Sequence, residues 1–441
     1  MIFCFAAFLA AVLVCLLTDS SILLAILLGV VLFCGLGLRR GFSLREMAAM
    51  AWKKGREALI VVAVLLSIGV LSALWRTSGT IAWFLYHGLQ LISPNTFLLV
   101  VFLLCAVLSI LLGTAFGVTG TAGVVLITLA RAGGVDLGMT AGAIVSGAFF
   151  GDRMSPVSSS AALVAACTQT DLYSNVRQMA RTGALPTVLT AGVFLLLSFR
   201  HPLSAVDPSV LELLSGSFDL RWPALAPALL MLVLALCRMP IVWAIVASAV
   251  SALGVSIWSQ DVPLTEALRT AVWGFAPQGA LADILSGGGL FSMADATLLI
   301  FSTCLYAGIL EGIHALAPIE YQVERLSSGI GRFPAAMVLS LGIDAVFCNQ
   351  GVTILMDEQL LAESYRRDGA SRQELAMDIA NSGVVMAALV PWSVALSVPM
   401  AMLEIEPLKG LPWCVLLYLL PLCYLATKRW FYPQKERCRA V

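Results

Sequence analysis

The chain has 441 residues, 60% of them hydrophobic and only 12% charged, with 26 basic residues balancing 26 acidic ones. Soluble domains carry about 25% charge, so this composition, at a mean hydropathy of +0.95, reads as an all-helical, polytopic membrane protein and gives no footing to a nucleic-acid partner. Eleven scattered cysteines without a CxxC pair, and three distant histidines (His87, His201, His314), argue against a disulfide framework or a zinc or haem centre.

Taken in order, Met1 to Leu17 lacks the basic flank and cleavage site of a signal peptide and reads as a retained first span. Asp19-Ser20-Ser21 turns into a second span, Ile22 to Leu38. Arg39, Arg40, Arg45, Lys53, Lys54 and Arg56 then outnumber Glu46 and Glu57, which places this loop and the N-terminus in the cytoplasm. Ala58 to Trp75 spans, Thr80 to Ile92 is interfacial or a short span, and Phe97 to Leu112 spans again. Gly113 to Gly123 interrupts the apolar pattern with four glycines and three threonines. That interruption suits either a helix-packing seam or a lined site.

The next stretch, Gly147-Ala-Phe-Phe-Gly-Asp-Arg-Met-Ser-Pro-Val-Ser-Ser-Ser160, puts an acid, a base, a proline and four serines between greasy segments. Irregular backbone and ionisable groups survive at membrane depth only inside protein or beside a watery path. The short apolar pieces on either side, Ala141 to Phe150 and Ala161 to Thr168, fit re-entrant half-helices. Asp171 to Arg181 reads as a cytoplasmic amphipathic stretch, Leu185 to Phe199 as a span, and Arg200 to Trp222 as a loop linking two halves. Pro223 to Leu236, Ile241 to Trp258 and Ala296 to Leu310 span, while Asp261 to Gly289 resists assignment. Glu311 to Arg332 is a polar connection, Ala335 to Phe347 breaks at Cys348-Asn349-Gln350-Gly351, and Val384 to Met402 and Trp413 to Ala426 complete ten to twelve spans. Lys428, Arg429, Lys435, Arg437 and Arg439 put the C-terminus inside as well.

The landmarks Gly117-Val-Thr119, Ser146-Gly147 and Pro156-Val-Ser158 recur in order as Gly351-Val-Thr353, Ser382-Gly383 and Pro391-Trp-Ser393. A repeat of this kind is how secondary transporters build a midplane site from discontinuous helices. It divides the chain into N-terminal spans with a basic loop (1–92), a first transport repeat (93–200), linking spans (201–332), a second repeat (333–427) and a basic tail (428–441).

Gly151-Asp-Arg-Met-Ser-Pro-Val-Ser158 resembles the GDxxSPLS signature of the NhaC-type sodium/proton antiporter family. Gly113-Thr-Ala-Phe-Gly117 is similar to that family's glycine/threonine stretch, and Asn381-Ser-Gly383 with Leu389-Val-Pro-Trp392 to its D-S-G and L-I-P-W segment. The resemblance implies an ion-transporter fold of two inverted repeats with helical hairpins, with Na+ and H+ as coupling ions and no cofactor. It also marks two departures: Ser159 and Asn381 stand where the family carries acids. Neither can carry the charge change that proton coupling needs.

The expected function is therefore an ion-gradient-coupled secondary transporter of the inner membrane, most simply a Na+/H+ antiporter. The alternatives are sodium- or proton-coupled transport of a small organic solute such as an amino acid or carboxylate, and a non-transporting membrane subunit or intramembrane enzyme. No Ser-His, Cys-His or HExxH constellation supports the enzyme. Its expected partners are membrane lipids and a cation or solute, with a homodimer left open. The site residues are Asp152, with Ser155, Ser158, Ser159 and Ser160 as oxygens for Na+ or a solute or as helix caps; Thr119; and, in the second half, Asn349, Asp357, Asn381 and Ser382. Asp344, alone in an apolar run, is a further coupling acid, since a lone acid there costs about 2.5–3.5 kcal/mol on insertion scales.

Overall fold

The computed structural model describes residues 2–18, 22–91, 93–203, 208–237, 239–313 and 329–432. In chain order the helices are α1 (Ile2–Leu17), α2 (Ile22–Arg39), α3 (Leu44–Thr77), α4 (Thr80–Leu91), α5 (Phe97–Leu112), α6 (Ala115–Val118), α7 (Val124–Ala132), α8 (Leu137–Met154), α9 (Ser159–Thr168) and α10 (Leu172–Arg200). They continue as α11 (Pro208–Ser217), α12 (Ala226–Leu236), α13 (Ile241–Trp258), α14 (Leu264–Trp273), α15 (Ala282–Leu285) and α16 (Ala294–Gly312). The last set is α17 (Arg332–Phe347), α18 (Gln350–Arg367), α19 (Arg372–Asn381), α20 (Gly383–Met386), α21 (Val394–Met402), α22 (Pro407–Gly410) and α23 (Val415–Phe431).

Seven of these elements, or nine when two bent pairs are each counted once, are long and apolar enough to cross a membrane. Three shorter apolar helices come besides these among the described residues: Phe3–Cys15, Ser159–Thr168 and Trp222–Leu236. The breaks themselves shorten the helices. Elsewhere the helices run longer than their apolar content suggests. α3 begins at Leu44, where Ser43 and Glu46 form a capping box that holds the Glu46 carboxyl below its usual range. Its 34 residues make it about 51 Å long at 1.5 Å per residue, so the span expected at Ala58 is only its inner part. α10 likewise joins the polar Asp171 stretch to the next span in one helix around Pro186. The expected loop after Arg200 contains α11.

The unassigned Asp261–Gly289 region becomes α14 and a strap that folds back on itself through a Phe275–Gly287 bridge. Gly289 donates to the Gly69 carbonyl of α3 at 2.7 Å, and Glu404 accepts from the Gly288 amide at 2.9 Å. The turn expected at Asp19-Ser20-Ser21, much of the connection after Glu311 and the tail beyond Tyr432 lie outside the described residues.

Helix ends, caps and left-handed residues of 97–172 recur at a constant offset of 235 residues. α5 and α17 are each 16 residues long and start at 97 and 332. Each ends in a left-handed residue, Gly113 (φ 66°) and Cys348 (φ 55°), followed by a capping residue, Thr114 and Asn349. Left-handed Gly134 and Gly369, capping Asp136 and Ser371, capping Ser158 and Ser393, and left-handed Gln169 and Glu404 all obey the same offset. The sequence landmarks at 117 and 146 were therefore matched one residue out in opposite directions; only the proline motif was in exact register.

α5 and α8 form the tightest crossing. Gly147 and Gly151 sit four residues apart on the face of α8 turned to α5, where a methyl on Gly147 would lie 2.5 Å from the Phe102 carbonyl, and one on Gly151 would meet the Ser109 and Ile110 backbone. Ser109 Oγ donates across the same seam to the Ala148 carbonyl at 2.5 Å. Because the obstruction is backbone, the helices have to separate. Gly147→Ala and Gly151→Ala are each expected to cost about 1–3 kcal/mol, read as a lower thermal unfolding midpoint in detergent. Gly192→Ala, with open space around it, should be neutral or slightly stabilising.

Candidate functional site

α8 stops where Pro156 removes an amide and its ring excludes the carbonyl four residues back. That carbonyl belongs to Asp152, and it accepts instead from Ser160 Oγ at 3.0 Å. Pro156 and Val157 then make a turn, closed by the Ser158 amide donating to the Ser155 carbonyl at 3.1 Å, before Ser158 caps α9 through the Ser160 amide at 3.2 Å. Ser158 Oγ also donates to Asp152 Oδ1 at 3.0 Å, Ser160 Oγ donates to Oδ2 at 3.1 Å, and the two hydroxyls lie 2.9 Å apart. The carboxylate thus lies against the start of the helix it precedes.

Two further groups reach Asp152 from elsewhere: the Ala115 amide, first in α6, and the Gln350 side chain, first in α18. The tips of both interrupted helix pairs therefore meet at one buried carboxylate. Gln350 also donates to the Val384 carbonyl at 2.7 Å, tying this point to the second repeat. Helix starts present amides and a positive dipole end, which suits an anion here. Among the described residues no basic side chain pairs with Asp152. Arg153, fully buried, turns the other way, donating to the Met179 carbonyl at 3.0 Å and Thr182 Oγ1 at 2.9 Å on α10.

The other serines divide. Ser155 is buried and donates to the Ile110 carbonyl at 2.7 Å, closing the end of α5. Ser159 is exposed and away from the carboxylate. Thr119 opens a widened turn, Thr119–Gly123, and donates to the Ala115 carbonyl at 2.8 Å. Asn349 accepts from the Gly351 and Val352 amides at 3.0 and 3.2 Å, so its oxygen caps α18. Ser382 Oγ donates to the Asp378 carbonyl at 2.7 Å. Asn381 is fully buried and neither atom of its amide group has a partner. Trp392 donates to the Ala345 carbonyl at 2.8 Å, a packing and bonding role.

Asp344 and Asp357 are both fully buried on the α17–α18 pair. Thr353 Oγ1 donates to Asp344 Oδ1 at 3.2 Å and Ser340 Oγ to Asp357 Oδ2 at 2.6 Å. Gln350, Ser340 and Thr353 were missed in the sequence. Ser340 and Thr353 lie four residues before Asp344 and Asp357, a helical spacing that marks one face, and Gln350 follows Asn349 in the break itself.

A third acid, Asp378, was also missed. It is fully buried and bonded by Tyr365 and Lys428, with Tyr424 OH donating at 2.9 Å. Lys428 also pairs with Glu374 at 2.9 Å, and Arg332 with Glu374 at 2.9 Å and Asp368 at 3.6 Å. Lys428, expected to open a basic tail, is instead part of α23 and nearly enclosed.

The chain matches the model described as the Na+/H+ antiporter family over residues 1–171 and 147–427, the two ranges sharing the central break. It is 30% identical over 386 residues to a malate-2H(+)/Na(+)-lactate antiporter of Bacillus subtilis, covering 85% of this chain and 82% of the relative. It is 28% identical over 409 residues to the Na(+)/H(+) antiporter NhaC of the same organism, covering 90% and 89%. The arginine/ornithine antiporter ArcD of Halobacterium salinarum is 27% identical over 345 residues, covering 75% and 70%.

Removing one partner of a buried pair leaves an uncompensated charge, whereas exposed pairs matter little. Lys428→Met is expected to cost about 3–5 kcal/mol of stability, measured by thermal unfolding in detergent. Arg366→Ala, which breaks the exposed pair with Glu363, should leave the midpoint within error.

Proposed function

Given that the chain belongs to the Na+/H+ antiporter family and is an ion-coupled antiporter of the membrane, we propose that it exchanges Na+ for H+ at Asp152. The observation that carries this is the gathering of three helix starts, those of α6, α9 and α18, around one buried carboxylate that Ser158 and Ser160 bond and that the Ala115 amide and the Gln350 side chain face, all of them neutral donors. When Na+ enters, these hydroxyls can rotate to present oxygens to it, with freed carbonyls completing the cage. When it leaves, a proton on the carboxyl restores neutrality in a dry site. One carboxylate then serves two cations in turn, which is the minimum that antiport needs.

The reading extends to the architecture. α8 begins with Gly138 against the Lys409 carbonyl, just after α21, whereas α19 begins with Arg372 bonded to Gln169, just after α9. Each broken helix thus starts where the other ends, which supports two repeats inverted with respect to one another, and alternating access by rocking one pair against the other. The end carrying Arg39, Arg40, Lys54, Arg332 and Lys428 is assigned to the cytoplasm of an inner membrane, with both termini there, by the excess of basic residues.

A second reading, exchange of a small carboxylate, draws on one feature. A cavity of about 400 Å³ is lined by Gln169, Glu358, Arg366, Arg372 and the turn at Gly369. Arginines suit an organic acid; Arg372 lines the cavity together with Arg366, which Glu363 pairs, and a relative bears the name of a malate and lactate antiporter.

Proteoliposomes with an internal pH dye test both. An imposed Na+ gradient should drive proton movement in wild type that is abolished in Asp152→Asn. Ser158→Ala with Ser160→Ala should weaken apparent Na+ affinity about a hundredfold or more, since each hydrogen bond to a charged group contributes about 1.5–3 kcal/mol. Wild-type flux that stays silent until malate or lactate is added would replace simple cation exchange with the carboxylate reading.

A further inference from the structure

The two acids of the α17–α18 pair form an arrangement that the Asp152 site does not use. α17 carries Ser340 and Asp344 four residues apart, and α18 carries Thr353 and Asp357 at the same spacing. The helices run back along one another, as the Arg332–Asp368 pair between the start of one and the end of the other requires. Each hydroxyl therefore crosses to the opposite acid: Ser340 to Asp357 at 2.6 Å, Thr353 to Asp344 at 3.2 Å. The hairpin holds both of its acids by itself.

What the hairpin does not supply is a counter-charge. Both residues are fully buried, and among the described residues neither pairs with a lysine, arginine or histidine. Asp344 Oδ2 and Asp357 Oδ1 have no partner at all, and buried Asn381 leaves its amide oxygen and nitrogen unbonded. Asn381 is two residues before Gly383, where a methyl would come within 2.5 Å of Asp357 Oδ2 and 3.6 Å of Ser340 Oγ. Ser393, at the break before α21, faces Asp344 as well. The titratable groups facing the pair are Cys167 of α9 and Cys348 at the hairpin tip. None is basic.

Unpartnered buried carboxylate oxygens with neutral hydroxyls and no basic neighbour are what a small hard cation needs. We propose that this hairpin carries a second Na+ site of its own, in which Asp344 and Asp357 hold Na+ with Ser340, Thr353 and Asn381 and hold protons in its absence. The site rests on the reading that Na+ and H+ are the coupling ions, but not on Asp152. The cavity at the end that carries Arg372 reaches Cys167, which faces Asp357, and Glu358, the next residue along α18. Two acids beside one cation let each Na+ bound here release up to two protons, where a single carboxylate releases one, so exchange of one Na+ for two H+ through this site would carry one net charge.

The test is equilibrium binding of radioactive sodium to the purified full-length protein in detergent, with proton release on Na+ addition followed by a pH dye in weak buffer. Asp152→Asn should still bind one Na+ per chain and release protons. Adding Asp344→Asn and Asp357→Asn should remove both signals. Should the triple variant fail to stay monodisperse, Ser340→Ala with Thr353→Val, which keeps both acids, should lower the Na+ affinity of the Asp152→Asn protein about tenfold. The proposal is overturned if Asp152→Asn binds no Na+, or if removing the pair leaves its Na+ binding and proton release unchanged. Undiminished antiport in Asp152→Asn would instead sink the assignment of Asp152 and leave the hairpin site standing.

Discussion

A carbonyl released from a helix at membrane depth has no water to turn to and has to find a donor inside the protein. Every interruption near the centre of this molecule is shaped by that demand. Pro156 frees the Asp152 carbonyl, and Ser160 takes it; the end of α5 leaves the Ile110 carbonyl, and Ser155 takes it. In the second repeat the equivalent carbonyl, Ala345, is taken by the indole of Trp392, and the Cys348 carbonyl by the Val394 amide at 3.0 Å. The breaks of one broken helix are thus closed by the breaks of another. That mutual closure forces the tips together, and a carboxylate placed among them is surrounded by helix starts and hydroxyls.

The backbone keeps its symmetry while the chemistry does not. At the offset of 235, Asp152 corresponds to Ala387, Asp344 to Ser109 and Asp357 to Ala122. The first repeat keeps its acid in the break of α8 and α9; the second keeps its acids within the hairpin. Capping positions tolerate exchange, Thr114 for Asn349 and Asp136 for Ser371, because any short side chain with an acceptor can serve a helix start. Carboxylates are costly to bury and persist only where neighbours satisfy them.

Away from the centre, two clusters join several buried or half-buried charges. Asp378 with Lys428, Tyr365 and Tyr424 ties α23 to the second hairpin and α19, and the Lys428–Glu374–Arg332 chain carries the tie to the start of α17. Across the molecule Glu404, left-handed at the end of α21, faces Arg76 at 3.6 Å and Arg131 at 3.7 Å and accepts from the Gly288 strap. Each cluster sits at the outer end of a broken helix, so motion of either repeat would have to strain one of them. Their partial burial makes them stronger ties than the exposed pairs such as Glu363 with Arg366.

Much of this was legible in the residues alone. Apolar content settled a helical membrane protein, and proline beside serines and an acid marked the break that holds Asp152, because such residues cannot continue a helix in lipid without being satisfied locally. The repeat was visible through its landmarks, but only the left-handed residues and caps set its exact register, since conformations such as that of Cys348 leave no compositional trace. Helix ends misled where polar residues extend a helix beyond the apolar core, as in α3 and α10. Above all, one-dimensional spacing finds partners on a single helix face and is blind across a fold. Local sequence put Ser158 and Ser160 beside Asp152, but it took the tertiary structure to bring Gln350 there from nearly 200 residues away, to turn Arg153 aside, and to cross Ser340 and Thr353 onto each other's acids.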